Sequence, residues 1–278
     1  SAESHILETE LVRFHFTNEG AGIQIAELKD QSRHLEGNGF VTINENASHP
    51  VGALSTGPKE FDTTTWNVAS KSADSISYEK KTESGFTLTK TYRLPGPDED
   101  PHEVTMEMSI RNDSETPLVF ADQFLYAGSA APLHLNEWSM QIGMFWLDSN
   151  GDFEYETVDH FGGRKILGIF GKNEIPDDTF SIESLRWAGV NDQFFVTIVH
   201  PETAHEASIW GSRFPVVVEG DEAASKKKRM FAAEAGIGLP ELSMNPGDQQ
   251  TLRYRMYLGP KEFARLKGLG EEKQLVMH

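Results

Sequence analysis

Alternation with a period of two runs through this chain and leaves little room for helices. Phe86, Leu88, Lys90, Tyr92 and Leu94 alternate with Thr87, Thr89, Thr91 and Arg93. Successive strand side chains point to opposite faces, so one set faces a core and the other water. Val104, Met106, Met108 and Ile110 repeat the pattern until Asn112-Asp113-Ser114 ends it. Near the start, Val12, Phe14 and Phe16 alternate with Arg13 and His15 before Gly20-Ala21-Gly22 turns the chain into Ile23 and Ile25. Near the end, Leu252, Tyr254, Met256 and Leu258 share a face. Further strand candidates lie at 40–44, 66–69, 75–81, 118–126, 141–147, 164–170, 185–199, 207–210, 214–219 and 229–235. Turn residues such as Pro95-Gly96-Pro97, Asn150-Gly151 and Asn245-Pro246-Gly247 separate several of them. Many short strands with regular punctuation predict an all-β sandwich, expected as a single domain over 1–278.

One segment departs from that period. Pro260 follows Gly259 and suits a first helical turn, where its missing N–H is not needed. Phe263, Leu266 and Leu269 then recur at spacing three, which predicts a short amphipathic helix over 260–270. Its apolar stripe is expected to dock on the sandwich, with Phe263 and Leu266 as the clamp. Lys261, Glu262, Arg265 and Lys267 are expected to face outward. Phe263, Leu266, Leu269, Lys261, Glu262 and Arg265 are therefore the candidate docking or partner-binding residues.

Acidic residues outnumber basic ones 43 to 25, a formal charge of −18. That balance argues against nucleic acid, whose phosphates are met by Lys and Arg, and against a chain lying flat on anionic lipid. With no cysteine, thiol catalysis, disulfides and Cys-based metal sites are excluded. No run reaches the roughly 18 apolar residues of a membrane-spanning helix, and Ser1-Ala2-Glu3 does not open a signal peptide. The Glu219–Glu222 and Lys226–Arg229 charge runs read as a solvated hairpin tip.

Catalytic chemistry finds little purchase. A sugar-isomerising sandwich would need a His and a carboxylate facing each other across a ring. Among the ten histidines, His160 and His200 are best placed, near strand ends. Asp152, Glu154 and Glu156 fall on one strand face and read as solvent-facing. Asp148-Ser149-Asn150-Gly151-Asp152 begins like a calcium loop, but Asp159 rather than Glu stands at the twelfth position. There is no Gly-x-Ser-x-Gly elbow and no complete phosphate loop, so no cofactor or metal is expected.

Several segments, in order, resemble the periplasmic domain of YidC-type membrane protein insertases. They are Leu11–Leu28, the Phe86–Leu94 strand, Val104–Asn112 with Thr116-Pro117-Leu118, Trp187–Val196, Asn245-Pro246-Gly247 and Tyr257–Glu262. The match thins over 36–75 and 127–180. The resemblance implies a β-supersandwich of the galactose-mutarotase kind on the periplasmic side of the inner membrane, with a membrane span starting soon after the terminal helix. It further implies a non-enzymatic module that assists insertion and folding of membrane proteins. The implied partners are the Sec translocon, including SecDF, and nascent membrane-protein substrates, and the isolated domain is expected to be monomeric. The competing expectation is a periplasmic carbohydrate-binding or mutarotase-like sandwich.

Overall fold

A computed structural model describes residues 1–34, 37, 39–166, 168–218 and 229–277. The strands Ser4–Glu8, Val12–Thr17, Gly22–Ser32 and Phe40–Ile43 pair in chain order as a four-stranded antiparallel sheet. A large antiparallel sheet faces it. From one edge its order is Glu60–Phe61, Leu54–Gly57, Phe124–Ala130, Met230–Gly238, His205–Val216 and Asp177–Asn191. It continues through Phe195–Pro201, Gln249–Pro260, Glu103–Asn112, Phe86–Arg93, Ser75–Lys81 and Asn67–Lys71. The long strand Asp177–Asn191 forks: its first half pairs with His205–Val216, and its second half with Phe195–Pro201 and Gly143–Asp148. Phe153–Thr157 extends the second branch.

The main core lies between the two sheets and is built from the alternating residues. Val12, Phe14 and Phe16 meet Leu88, Tyr92, Val104, Met106, Met108, Ile110, Tyr254, Met256 and Leu258 there. Each fully buried apolar side chain contributes about 1.5–3 kcal/mol. Period two therefore sorts these residues as it should: the β-supersandwich is the observed fold.

Lys90 sits on this apolar face and is fully buried. Its ammonium donates to the carbonyls of Gly20 (2.9 Å), Ala21 (3.2 Å) and Gly52 (2.6 Å) and lies 4.5 Å from the Trp66 ring centroid. Tyr92 Oη also donates to Ala21 O, at 2.8 Å. Burial pulls the amine down to about 7, whereas three acceptors and a π face match the three donors of the charged form. The carbonyls converge because Gly20 and Ala21 both take positive φ, 74° and 52°. At Gly52 a Cβ would stand 2.2 Å from Tyr92 Oη, so only glycine lets the backbone come this close.

Five expected strands differ. The 185–199 run is two strands joined at Asp192, whose Oδ1 accepts from the amides of Phe194 (2.7 Å) and Phe195 (2.8 Å). Within 185–199 the end of the first strand and the whole of the second are covered on both faces, which erases the alternation that would have shown the turn. The 207–210 and 214–219 candidates form one strand, His205–Val216. Pro215 is tolerated because the pairing with Asp177–Asn191 ends at Ser212, leaving Pro215 a neighbour on one side only. The 118–126 candidate divides into Leu118–Phe120 and Phe124–Ala130, and 164–170 is a hairpin of Arg164–Ile166 with Phe170–Lys172. The charged tip expected at 219–228 lies outside the described residues.

Candidate functional site: the outer face and its C-terminal cover

The large sheet carries a second apolar cluster on the face turned away from the main core. Phe145, Leu147, Trp187, Val196, Ile198 and Tyr257 form it, and Leu266 and Val276 from the chain end are buried in it. Leu269, Leu275, Phe153 and Tyr155 pack partly against it. The helix Phe263–Gly268 and the 3₁₀ turn Lys273–Met277 thus lie across the outer face.

Polar contacts fix this cover in register. Trp187 Nε1 donates to Glu271 O at 2.8 Å, and Arg186 pairs with Glu271 and, at 3.0 Å, with Glu272. Arg265 Nη1 reaches Asp100 Oδ2 at 3.0 Å, and Asp100 Oδ1 lies 2.9 Å from His102 Nδ1. Burial pushes the Asp100 carboxyl up, but the bonds from His102 and Arg265 outweigh it and hold the group below its ordinary range. Lys273 is fully buried, with Nζ 3.6 Å from Glu103 Oε2.

The candidate docking residues separate into three groups. Leu266 is fully buried and Leu269 half-buried, but Phe263 is 50% exposed and does not clamp the helix. The cause is local. The strand runs on through Gly259 to Pro260, which pairs with Phe195, and Lys261 N then donates to Phe194 O at 2.7 Å. The helix starts only at Phe263, not at Pro260, and that shift turns Phe263 off the buried stripe. Lys261 and Arg265 bend inward, Lys261 Nζ to Asp192 O at 3.3 Å, while Glu262 and Lys267 stay exposed. Sequence reasoning passed over Val276 and Trp187, which complete the seat. The apolar pair Leu275-Val276 after the helix is the sequence signal for Val276; nothing in the sequence marks Trp187 as part of the seat.

Asp192 stands where this seat meets the sheet end. It is buried, and burial raises its pKa from 3.8 to about 7, with the nearby Glu137 carboxylate adding to the rise. A carboxyl raised in the folded state stabilises fully below its unfolded value and loses that contribution as pH climbs through the folded one. Stability is therefore expected to fall between about pH 4 and pH 7 on this account. Asp192→Asn keeps the oxygen that accepts the Phe194 and Phe195 amides and removes the charge. It should raise stability at pH 8 by about 2–4 kcal/mol and flatten the decline. Urea titrations at pH 5 and pH 8 test this, and an unchanged pH slope in the variant would refute it.

The groups that a sugar-isomerising site would use are scattered. His160 is held between Asp178 (Nε2, 2.8 Å) and Glu156 (Nδ1, 3.1 Å). His200 lies on the outer face, with Nδ1 3.1 Å from Arg255 Nη2. Because a guanidinium can only donate, Nδ1 accepts and the ring is neutral, in line with burial and with Lys273 and Arg255 driving its pKa down to about 3. Elsewhere His49 stacks on Phe61 at 3.8 Å, and Phe61 stands edge-on to Tyr126 and Trp210. Glu234 accepts from Tyr126 Oη and Ser212 Oγ, both at 2.7 Å. Here His, carboxylate and aromatic rings do converge, but Tyr126 and Trp210 are sealed by their neighbours with no exposed face for a sugar to stack on. Among the described residues no cluster of His, Asp and Glu could hold a metal ion.

Known proteins place this geometry in two contexts. The fold is similar to a putative aldose 1-epimerase from Escherichia coli, with a TM-score of 0.52 at 10% identity over 93% of this chain and 99% of that one. It is also similar to a galactose mutarotase related enzyme from Lactobacillus acidophilus, with a TM-score of 0.55 at 11% identity over 92% and 97%. At such identities the likeness shows the fold alone. In sequence, the chain is 22% identical over 233 residues to the membrane protein insertase YidC of Pelobacter propionicus, covering 83% of this chain and 36% of that protein. It is 22% identical over 300 residues to the Geotalea uraniireducens insertase, covering 97% and 47%. The chain thus spans less than half the length of either relative. A family model described as the YidC periplasmic domain matches residues 6–277, and the chain belongs to that family.

Proposed function

We propose that this domain is the extracytoplasmic part of a membrane protein insertase on the periplasmic side of the inner membrane. It acts as a non-catalytic positioning and interaction module that assists insertion and folding of membrane proteins, alone or beside the Sec translocon. Its partners on this reading are Sec components, SecDF among them, and nascent membrane-protein segments, and the isolated domain is a monomer. The observation that carries the reading is the C-terminal cover. A segment pinned to the sheet by Leu266, Val276, the Trp187–Glu271 hydrogen bond and the Arg265–Asp100 pair holds a fixed direction relative to the sandwich. In longer proteins of the family, that direction would set how the sandwich sits relative to the rest of the molecule.

The test is Leu266→Asp in the longer protein, scored by insertion of a reporter membrane protein. A buried unpaired carboxylate should unseat the cover and cut insertion at least about fivefold, while the main core, which does not contain Leu266, stays folded. Normal insertion with an unseated cover would overturn the proposal.

A further inference from the structure

Twelve large hydrophobic side chains are exposed among the described residues, and five of them lie on segments that leave one end of the large sheet. They are Leu135, Trp138 (69% exposed), Met140 (68%), Phe194 (42%) and Phe263 (50%). Three segments carry them, and these leave neighbouring strands. Gly143 pairs with Asn191, Asn191 with Val196 and Val196 with Gly259, so the segment ends stand within about 15 Å of one another at the usual strand spacing.

The segments are tied together from beneath. Lys261 N donates to Phe194 O at 2.7 Å, Asn191 Nδ2 to Gln141 O at 3.3 Å, and the His134 ring meets Phe194 edge-on at 6.2 Å. Glu137 is buried, and its Oε1 accepts from the amides of Leu133 (2.7 Å) and His134 (2.9 Å). Apolar side chains held out on a braced scaffold mark an interaction surface rather than a loosely folded end.

Local charge identifies what the surface meets. The chain carries −18 overall, yet Glu137 and Asp192 at this end are buried. Lys261, Arg265 and Lys267 stand here with Asp100, Glu262 and Asp159, Arg265 pairing with both Asp100 and Glu262, so cations and carboxylates match and leave no net charge to repel anionic headgroups. Lys267 Nζ lies 5.9 Å from the Phe263 ring, where its stem can follow the ring inward while its charge stays in water. Trp and Phe with a flanking Lys are the side chains that settle at a membrane–water boundary. We propose that this end of the domain rests on a phospholipid bilayer, with Trp138, Met140, Phe194 and Phe263 entering the headgroup region. The proposal builds on the insertase reading, since that is what places a bilayer within reach.

Fluorescence isolates the contact. Trp66, Trp146, Trp187 and Trp210 are all buried, so Trp138 is the tryptophan that acrylamide can reach. Vesicles of phosphatidylethanolamine and phosphatidylglycerol should protect Trp138 from acrylamide, shift its emission to the blue and allow quenching by brominated lipid. Trp138→Phe should remove that response. The triple variant M140S/F194S/F263S should lower vesicle binding at least about tenfold while leaving the melting temperature within about 2 °C, because these side chains are already exposed. Undiminished acrylamide quenching with vesicles present would overturn the proposal. So would protection that appears without lipid as protein concentration rises, since that would assign the surface to a second copy. None of these substitutions touches Leu266 or its seat, so a negative lipid result and a negative insertion result remain separable.

Discussion

Lys90→Met is expected to cost about 3–5 kcal/mol of folding stability. Methionine fills nearly the same volume and is more apolar, so an argument from hydrophobicity alone predicts stabilisation. The hydrogen-bond geometry predicts the reverse. Removing the ammonium takes the side-chain donor from the Gly20 and Gly52 carbonyls and leaves Ala21 O with Tyr92 Oη alone, in a fully buried site, and a buried acceptor without a donor costs about 1–3 kcal/mol. The Trp66 face also loses its cation. Lys90→Arg should not rescue the site, because a planar fork does not match three acceptors clustered round a single nitrogen. Urea unfolding with an unchanged m-value is the measurement, and a loss below about 1 kcal/mol would show that the carbonyls find water or other donors.

The second large effect concerns the outer face. Leu266→Ala should cost about 2–5 kcal/mol, the range for a fully buried leucine whose surroundings cannot collapse around the gap. Phe263→Ala should cost under about 0.5 kcal/mol, because that ring is half in water and outside the cluster. The loss at Leu266 should be partly local. Amide exchange in 261–277 should accelerate together with the indole proton of Trp187, whose acceptor is Glu271 O, while the strands Phe86–Arg93 and Glu103–Asn112 keep their protection. Equal effects of the two substitutions would mean that the helix is held by its stripe as a whole, as the spacing of Phe263, Leu266 and Leu269 alone suggests.

Those two residues also show how far the sequence could be read. Alternation through Phe86–Arg93 put Lys90 on the buried face without ambiguity, since a slip of one residue would have exposed Leu88 and Tyr92. It could not supply the acceptors, which come from a turn and a loop 70 and 38 residues earlier in the chain. The terminal helix was legible from period three, but its phase was not. Proline at 260 fits a helix start and a strand end equally well, and only the pairing with Phe195 decides between them. In the centre of the large sheet the signal vanished for a physical reason. Strands such as Phe195–Pro201 are covered on both faces, so every position is apolar or paired and the period of two disappears. The surface patch was hidden differently. Tryptophan and methionine are core-forming residue types, and nothing in the sequence around Trp138 and Met140 announces that they project outward. Family resemblance supplied the insertase context, but the patch lies partly in the stretch 127–180 where that resemblance thins.

The C-terminal cover has a consequence for the order in which the molecule can be completed. The strands bearing Phe145, Leu147, Trp187, Val196 and Ile198 are made before residues 261–277 exist. During synthesis and export, the first of these side chains to emerge waits more than a hundred residues for Leu266 and Val276 to shield it. Contacts that distant in sequence form slowly, because the loop must close before the contact rewards it. A nascent domain of this kind therefore passes through a stage in which one sheet is formed and its back is bare, a sticky intermediate whose lifetime ends with the arrival of the final seventeen described residues, 261–277. Ribosome-arrested or truncated chains ending before 261 should expose that back, and they are the species on which a chaperone of the exit path would act.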